Sequence, residues 1–517
     1  MVARRDFMIL VLVLFMAGVP ARAGQDPLAI TEFGAVGDGR TLNTNSIQKA
    51  IDSIAMRGGG TIVVPPGVFL SGTLQLRSNT NLHLTTGAVL RGSDNLKDYV
   101  LGGRVVGLLF TQDATNVSIS GQGTIDGNGD TFMDLTRAKH IENAGVQWTR
   151  QKEHFREVLT GIGDGPAVPK DRPFQMIIFS DCRMVTIRDV LITNSPFWTV
   201  HFADCDGVLV SGVRIWCNLL VPNNDGVDFT SSSNVIMSDC DIRTGDDCVA
   251  ITGYSHHFDL PGYKNLRRPL KNITITNCLM QSRSAAIRIG GFDQNPMRNI
   301  TISDVTITNS NRGIGMFVRD QGSLENVIVS NVIIETRLHT GDWWGNGEPI
   351  HISAVRLTKD VPLGKIRNVS FHNVICKSES GILIYGSAES IIENVSMENL
   401  TLHIADSPLN ASSGGNYDLR PVLDEKQQLF SHDIAGLHAQ HVKNFRIRDF
   451  RLSWDSVKAP FFTHGIDIAG FEGVVVDRFT GTAAPFNPKA SPIILRDGRG
   501  ADLHVGNLAV VRQRVRD

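Results

Sequence analysis

No charge of either sign prevails in this sequence: 50 Lys and Arg stand against 52 Asp and Glu, a formal charge of −2. That balance excludes a globally basic nucleic-acid binder. Cysteine is scarce, with seven in 517 residues and no Cys-x-x-Cys pair, which excludes a disulfide scaffold and the usual zinc-site spacing. Cys182, Cys240 and Cys278 occupy equivalent places in a repeat and read as small buried residues stacked in a core. The N-terminal apolar run, Phe7 to Val19, is shorter than the roughly 20 residues that span a bilayer. Arg4 and Arg5 precede it and Ala21-Arg22-Ala23 follows it, so residues 1–23 are expected to be a signal peptide, with the mature chain exported to a periplasm or the medium. The chain also lacks the bias of a disordered protein, since 20% of it is charged and 42% hydrophobic.

What is present is a repeat. A turn residue, β-branched residues in alternation and a closing Asn or Asp recur at Asn234, Asn272, Asn299, Asn326, Asn368 and Asn394, with weaker copies from Asn116, Arg183, Asp206, Asn444 and Gly473. The closest copies are 26 to 28 residues apart, and Val, Ile and Thr dominate where a leucine-rich repeat would place Leu. The expected fold is therefore all-β, a right-handed parallel β-helix, with one catalytic domain over residues 24–517. Several repeat asparagines also fit the Asn-x-Ser/Thr glycosylation pattern. Their recurrence at one position favours a structural role, because Asn tolerates left-handed turns and its amide can pair with the next coil.

An open solenoid end needs a cap. Asn43-Thr44-Asn45 followed by Ser46 to Met56, with Ile47, Ala50, Ile51 and Ile54 on one face, predicts an amphipathic capping helix. Two stretches without repeat, near 131–172 and 405–440, read as surface loops walling a cleft.

Carboxylates are richest between Asn223 and Ile251. Asn223-Asn224-Asp225-Gly226-Val227-Asp228 is followed by Gly245-Asp246-Asp247-Cys248, and Asp225 and Asp246 are 21 residues apart, near one coil. Crowding raises the pKa of one acid while its neighbours stay ionised, which suits glycoside hydrolysis. Turn-forming aspartates or a calcium site fit the same residues.

At this point the chain resembles glycoside hydrolase family 28, the polygalacturonases and rhamnogalacturonases. The resemblance is carried by Phe33 to Gly39, Gly58 to Gly67, Gly121 to Gly127, Ser195-Pro196-Phe197-Trp198 and, more specifically, the motifs at Asn223–Asp228 and Gly245–Asp247. It implies Asp246 as general acid, Asp225 and Asp247 holding and deprotonating water for inversion, and no metal or cofactor. It also implies a pectic poly- or oligosaccharide partner of galacturonic acid or rhamnogalacturonan type; the charge balance argues against nucleic acid, and a monomer free of the membrane after leader removal is expected.

Two substrate motifs of the family are altered. Gly-His-Gly falls at Arg283-Ser284-Ala285-Ala286 and Arg-Ile-Lys near Gly315-Met316-Phe317, which disfavours a standard endo-polygalacturonase. Arg283, Arg288 and Arg319 are candidates for the missing positive charge. Asn223 and His201, the latter one coil before Asp225, are candidate substrate contacts, whereas His256-His257 reads as surface. Trp343 and Trp344, inside Gly341 to Pro349, read as a sugar-stacking wall with a buried staple as the alternative. This segment resembles a loop of a bacterial branch of the family and suggests an exo-acting or side-chain-specific enzyme. The rival readings are a β-helix lyase or uronate epimerase and a non-catalytic glycan-binding solenoid.

Overall fold

A computed structural model describes residues 26–141, 145–255, 266 and 268–516. The expected signal peptide and the His256-His257 pair lie outside the described residues. Alternating β-branched segments stack coil on coil into one sheet of 32 strands whose pairings are parallel, a right-handed parallel β-helix.

Three ladders run along the axis. The first contains Ile177–Ser180, Val200–Ala203, Val227–Thr230, Val249–Thr252, Ala285–Gly291, Arg312–Val318 and Ile350–Ala354. The second contains Thr115–Gly121, Arg183–Arg188, Asp206–Ser211 and Ser233–Ser238, and the third Thr124–Asp126, Leu191–Thr193, Arg214–Trp216 and Asp241–Thr244. From Leu270–Ser282 onward the second and third ladders fuse into long bent strands. At the bend Asn277, Asp304, Asn331, Asn373 and Asn399 have φ between +52° and +55°, a left-handed conformation that Asn and Asp enter at less cost than other side chains.

The repeat asparagines form an amide ladder. Nδ2 of Asn272 donates to Asn234, and the chain continues through Asn299, Asn326, Asn368, Asn394 and Asn444 at 2.9–3.1 Å. Their structural reading is therefore the correct one for these side chains. Inward positions stack likewise: Phe179, Phe202 and Phe229 lie ring on ring at 5.5 and 5.4 Å, each buried side chain stabilising the fold by about 1.5–3 kcal/mol. All seven cysteines are free and buried.

The helix Thr44–Met56 covers the N-terminal end, burying Ile47, Ala50, Ile51 and Ile54. The two non-repeating stretches meet beside the first ladder. Arg150 Nε donates to the Gly415 carbonyl at 2.7 Å, and Asn416 Nδ2 donates to Gln151 Oε1 at 2.8 Å. Between them lies Gly341–Pro349, clamped by two buried arginines. Arg156 donates to the carbonyls of Trp343 and Gly345, and Arg420 binds Asp342, Asp418 and the Trp343 carbonyl at 2.7–2.8 Å.

Candidate active site

Asp225 lies in the turn before Val227–Thr230, and Asp246 and Asp247 lie in the turn before Val249–Thr252. Because Val227 pairs with Val249, the rung partner of Asp225 is Asp247, and Asp246 stands beside it in the same turn, so the adjacent coils bring all three carboxylates together. Gly226 N donates to the Asp247 carbonyl at 2.8 Å, fixing the two turns together. One carboxylate oxygen from each of Asp225, Asp246 and Asp247 lies within 4.8 Å of the others.

Arg288 balances the cluster. It pairs with Ala250 and Gly315 along the first ladder, two small neighbours that leave room for a long side chain. Its Nε contacts Asp247 Oδ2 directly, Nη2 lies 4.0 Å from Asp225, and Nη1 donates to Tyr254 at 2.5 Å. Burial works against its charge, but Tyr254, Asp247 and Asp225 outweigh that and hold its pKa well above the ordinary value. Three carboxylates this close can share a cation, yet the guanidinium already supplies the positive charge a metal would bring.

The acids differ in environment. Asp246 is partly reached by solvent; burial, then Asp247, push its pKa up from 3.8 to about 6, opposed by Arg288, the Asn223 N–H and the Ser284 hydroxyl. It accepts from Asn223 N at 3.2 Å and Asp247 N at 3.0 Å. Asp225 is buried, and burial followed by Asp246, Asp228 and Asp247 raises its pKa well above the usual carboxylate range. Its Oδ1 has no hydrogen-bond partner, an arrangement costly to leave unfilled and suited to a water or a substrate hydroxyl. Asp247 Oδ1 accepts from Ala285 N at 3.1 Å. Asp228, in the strand that follows Asp225 on the same coil, is buried and also raised, first by burial.

These groups open into a cavity of about 310 Å³, walled by Trp198, Asn223, Tyr254, Phe292, Lys139, Asp342 and Trp344. A shallower groove of about 840 Å³ follows the outer asparagine face, but its lining carries no ionisable group and so offers no acid–base chemistry.

The remaining candidates separate. Asn223 lines the cavity, its Oδ1 accepting from Arg172 at 2.8 Å. Trp344 stays 36% exposed at the rim, while Trp343 is only 2% exposed and its indole N–H donates to the Asp164 carbonyl at 3.0 Å. Trp343 thus borders the cavity as a buried staple, and the exposed ring face available for stacking is that of Trp344. His201 is a correction: it pairs with Asp228 along the ladder, but it is fully covered, bonded to Thr230 at 3.0 Å and edge-on to Trp198. Burial lowers its pKa to about 3. Arg319 is a second correction, completely buried and spent on the carbonyls of Leu419, Val318 and Ser353. Arg283 is a third; it bonds His339 at 2.9 Å and faces Asp164 at 3.9 Å, away from the aspartate cluster.

Sequence reasoning missed Lys139 and Arg172. Lys139 comes from the first non-repeating stretch and lies 3.7 Å from Asp342 at the cavity wall. Arg172 donates to the carbonyls of Pro196 and Pro222 at 2.8 Å and is stacked on Phe197, so it anchors the Asn223 turn. Neither lies in the repeat, so no periodicity marked them; Pro173 directly after Arg172 was the only local signal.

The family description Glycosyl hydrolases family 28 matches residues 57–413. A probable polygalacturonase of Vitis vinifera is 30% identical over 241 residues, covering 43% of this chain and 43% of that protein. An exo-poly-alpha-D-galacturonosidase of Dickeya chrysanthemi is 33% identical over 249 residues, 43% of this chain and 41% of that protein. The matches therefore span about two-fifths of these relatives' length. A family 28 exopolygalacturonase of Yersinia enterocolitica superposes with a TM-score of 0.62 at 16% identity, covering 92% of this chain and 79% of that one. A polygalacturonase from Erwinia carotovora ssp. carotovora gives 0.54 at 22% identity, over 71% and 92%. At these identities the superpositions speak for the parallel β-helix fold alone.

Proposed function

This chain belongs to glycosyl hydrolases family 28, and from that membership we propose that it is a hydrolase of α-linked pectic saccharides acting at a chain end. The observation that carries the reading is the division of labour among three neighbouring carboxyls. Asp246, partly open to solvent and raised to about 6, holds a proton at mildly acidic pH and donates it to the leaving glycosidic oxygen. Asp247, ion-paired with Arg288, takes a proton from the attacking water. Asp225, whose Oδ1 lacks a partner, orients that water. The water oxygen bonds to the anomeric carbon as the glycosidic bond breaks, so each turnover moves one proton from Asp246 to the aglycone and one from water to Asp247.

One oxygen of each carboxyl lies within 4.8 Å of the others, a tighter cluster than two carboxyl groups set roughly 6.5–9.5 Å apart as in most inverting pairs. We assign inversion nonetheless, because a third carboxyl lets Asp225 and Asp247 hold one water together. Anomeric proton NMR of the first-formed product tests this directly, and a retained configuration removes the assignment.

End-specific action is supported by the wall of Lys139, Asp342 and Trp344 across a cavity at the lower end of the ligand-pocket range of about 300–1,000 Å³. Arg288 is engaged by Asp225 and Asp247, so among the described residues lining the cavity Lys139, 3.7 Å from Asp342, is the cation suited to a uronate carboxylate. A lyase is disfavoured because Arg288, held protonated, is no base. We further propose that the protein is exported, acts as a monomer and works as one catalytic unit over residues 24–517. Incubation with galacturonate oligomers tests the reading: saturated monomer from the start supports it, and longer products from the start refute the end-specific part.

A further inference from the structure

A second cavity, of about 330 Å³, lies on the third ladder and involves none of the three aspartates above. Along that ladder Asp126 pairs with Thr193, Thr193 with Trp216 and Trp216 with Arg243. Trp216 is 40% exposed. Arg243, held by Asp241 at 2.9 Å, lies over its ring at 5.0 Å from the centroid. The cavity is lined by Trp216, Thr193 and Asp126 but not by Arg243, and Thr193, the ladder partner of Trp216, is short enough to leave room beside the indole.

The facing wall is polar and already ordered. Asp126 accepts from Arg91 Nε and Asn128 N at 2.9 Å, Asp130 Oδ1 accepts from Asn218 Nδ2 at 2.9 Å, and Asn194 Oδ1 accepts from Asp130 N at 2.9 Å. Among the described residues, Asp130 Oδ2 and Asn194 Nδ2 bond to no protein atom, which leaves an acceptor and a donor opposite the aromatic face. An apolar platform facing fixed donors and acceptors matches a pyranose ring, which has one C–H face and a rim of hydroxyls. Two carboxylates offset by the single Arg91 repel an anionic sugar.

We propose that this cavity is a second saccharide-binding site, selective for a neutral pyranosyl unit such as galactose. It also touches the catalytic turn: the Asn218 carbonyl accepts from Asn224 Nδ2 at 2.8 Å, and Asn224 Oδ1 accepts from Gly245 N at 2.7 Å and Asp246 N at 3.2 Å. A neutral branch of the polymer held here sits two hydrogen bonds from the proposed acid.

The test is calorimetric titration of the full chain with β-1,4-galactotetraose, carried out in the Asp246→Asn background so that binding is read whether or not the cluster hydrolyses anything. Saturable binding in the millimolar range is expected, about tenfold or more weaker with Trp216→Ala, and equally weakened with Thr193→Arg, which fills the gap and keeps the indole. In the otherwise unaltered protein, Trp216→Ala leaves hydrolysis of a short unbranched substrate unchanged. Absence of saturable binding, unchanged affinity in both variants, or equal competition by tetragalacturonate overturns the proposal.

Discussion

Replacing Asp246 by Asn should remove activity and, above about pH 6, make the protein more stable. A carboxyl whose pKa moves from 3.8 to about 6 on folding contributes stability that is fully present below 3.8 and is lost as the pH rises through 6. Near neutral pH the ionised form is disfavoured by about 3 kcal/mol, reduced to about 2 because solvent reaches part of the side chain. Asn carries no charge and escapes that penalty. It has one acceptor oxygen in place of two, so either the Asn223 N–H at 3.2 Å or the Asp247 N–H at 3.0 Å loses its partner, which costs about 1 kcal/mol. The net effect is a gain of about 1 kcal/mol near pH 7 and a loss of similar size near pH 4, where the native carboxyl is already protonated. Paired thermal melts at the two pH values read the sign, and hydrolysis should fall by roughly 10²–10⁴-fold. A variant less stable at both pH values refutes the reasoning, because Asp246 would then not be held protonated by the fold.

Hydrolysis itself should decline above about pH 6 as Asp246 loses its proton, and a kcat/KM profile flat from about pH 5 to 8 contradicts the assignment. Arg288→Ala leaves Asp247 and Asp225 without their counter-charge and should destabilise the protein by about 3–5 kcal/mol, read by denaturant titration. Lys139→Ala should raise KM for galacturonate oligomers by roughly tenfold with kcat little changed, consistent with a lost charge-assisted contact of about 1.4 kcal/mol. Arg319→Met, by contrast, should lower the melting temperature and leave KM alone, because its donors go to main-chain carbonyls.

The fold was legible because its cause is periodic. Asparagines placed one coil apart in the sequence are the ones whose amides bond from rung to rung, and the apolar face of Thr44–Met56 is the face that is buried. The aspartates were legible as a group because two successive turns carry them. Which of the two adjacent aspartates shares the register of Asp225 was not: the spacing put both on the neighbouring coil, and only the pairing of Val227 with Val249 aligns Asp225 with Asp247. The arginines misled for another reason. Arg288 and Arg319 both follow the outward positions of their strands, but Arg319 is covered by Leu419 of the second non-repeating stretch, and a loop contact about a hundred residues away in sequence leaves no local trace. His201 failed similarly, since Trp198 and Thr230 close over it.

The central claim, an end-acting hydrolase with Asp246 as its acid, is tested most directly by mass spectrometry of products from tetragalacturonate in ¹⁸O-water, wild type beside Asp246→Asn. The account predicts saturated galacturonate monomer from the first time point, one ¹⁸O at the new anomeric carbon, and release from the variant lower by roughly 10²–10⁴-fold; unsaturated products lacking ¹⁸O, or undiminished release by the variant, contradict it.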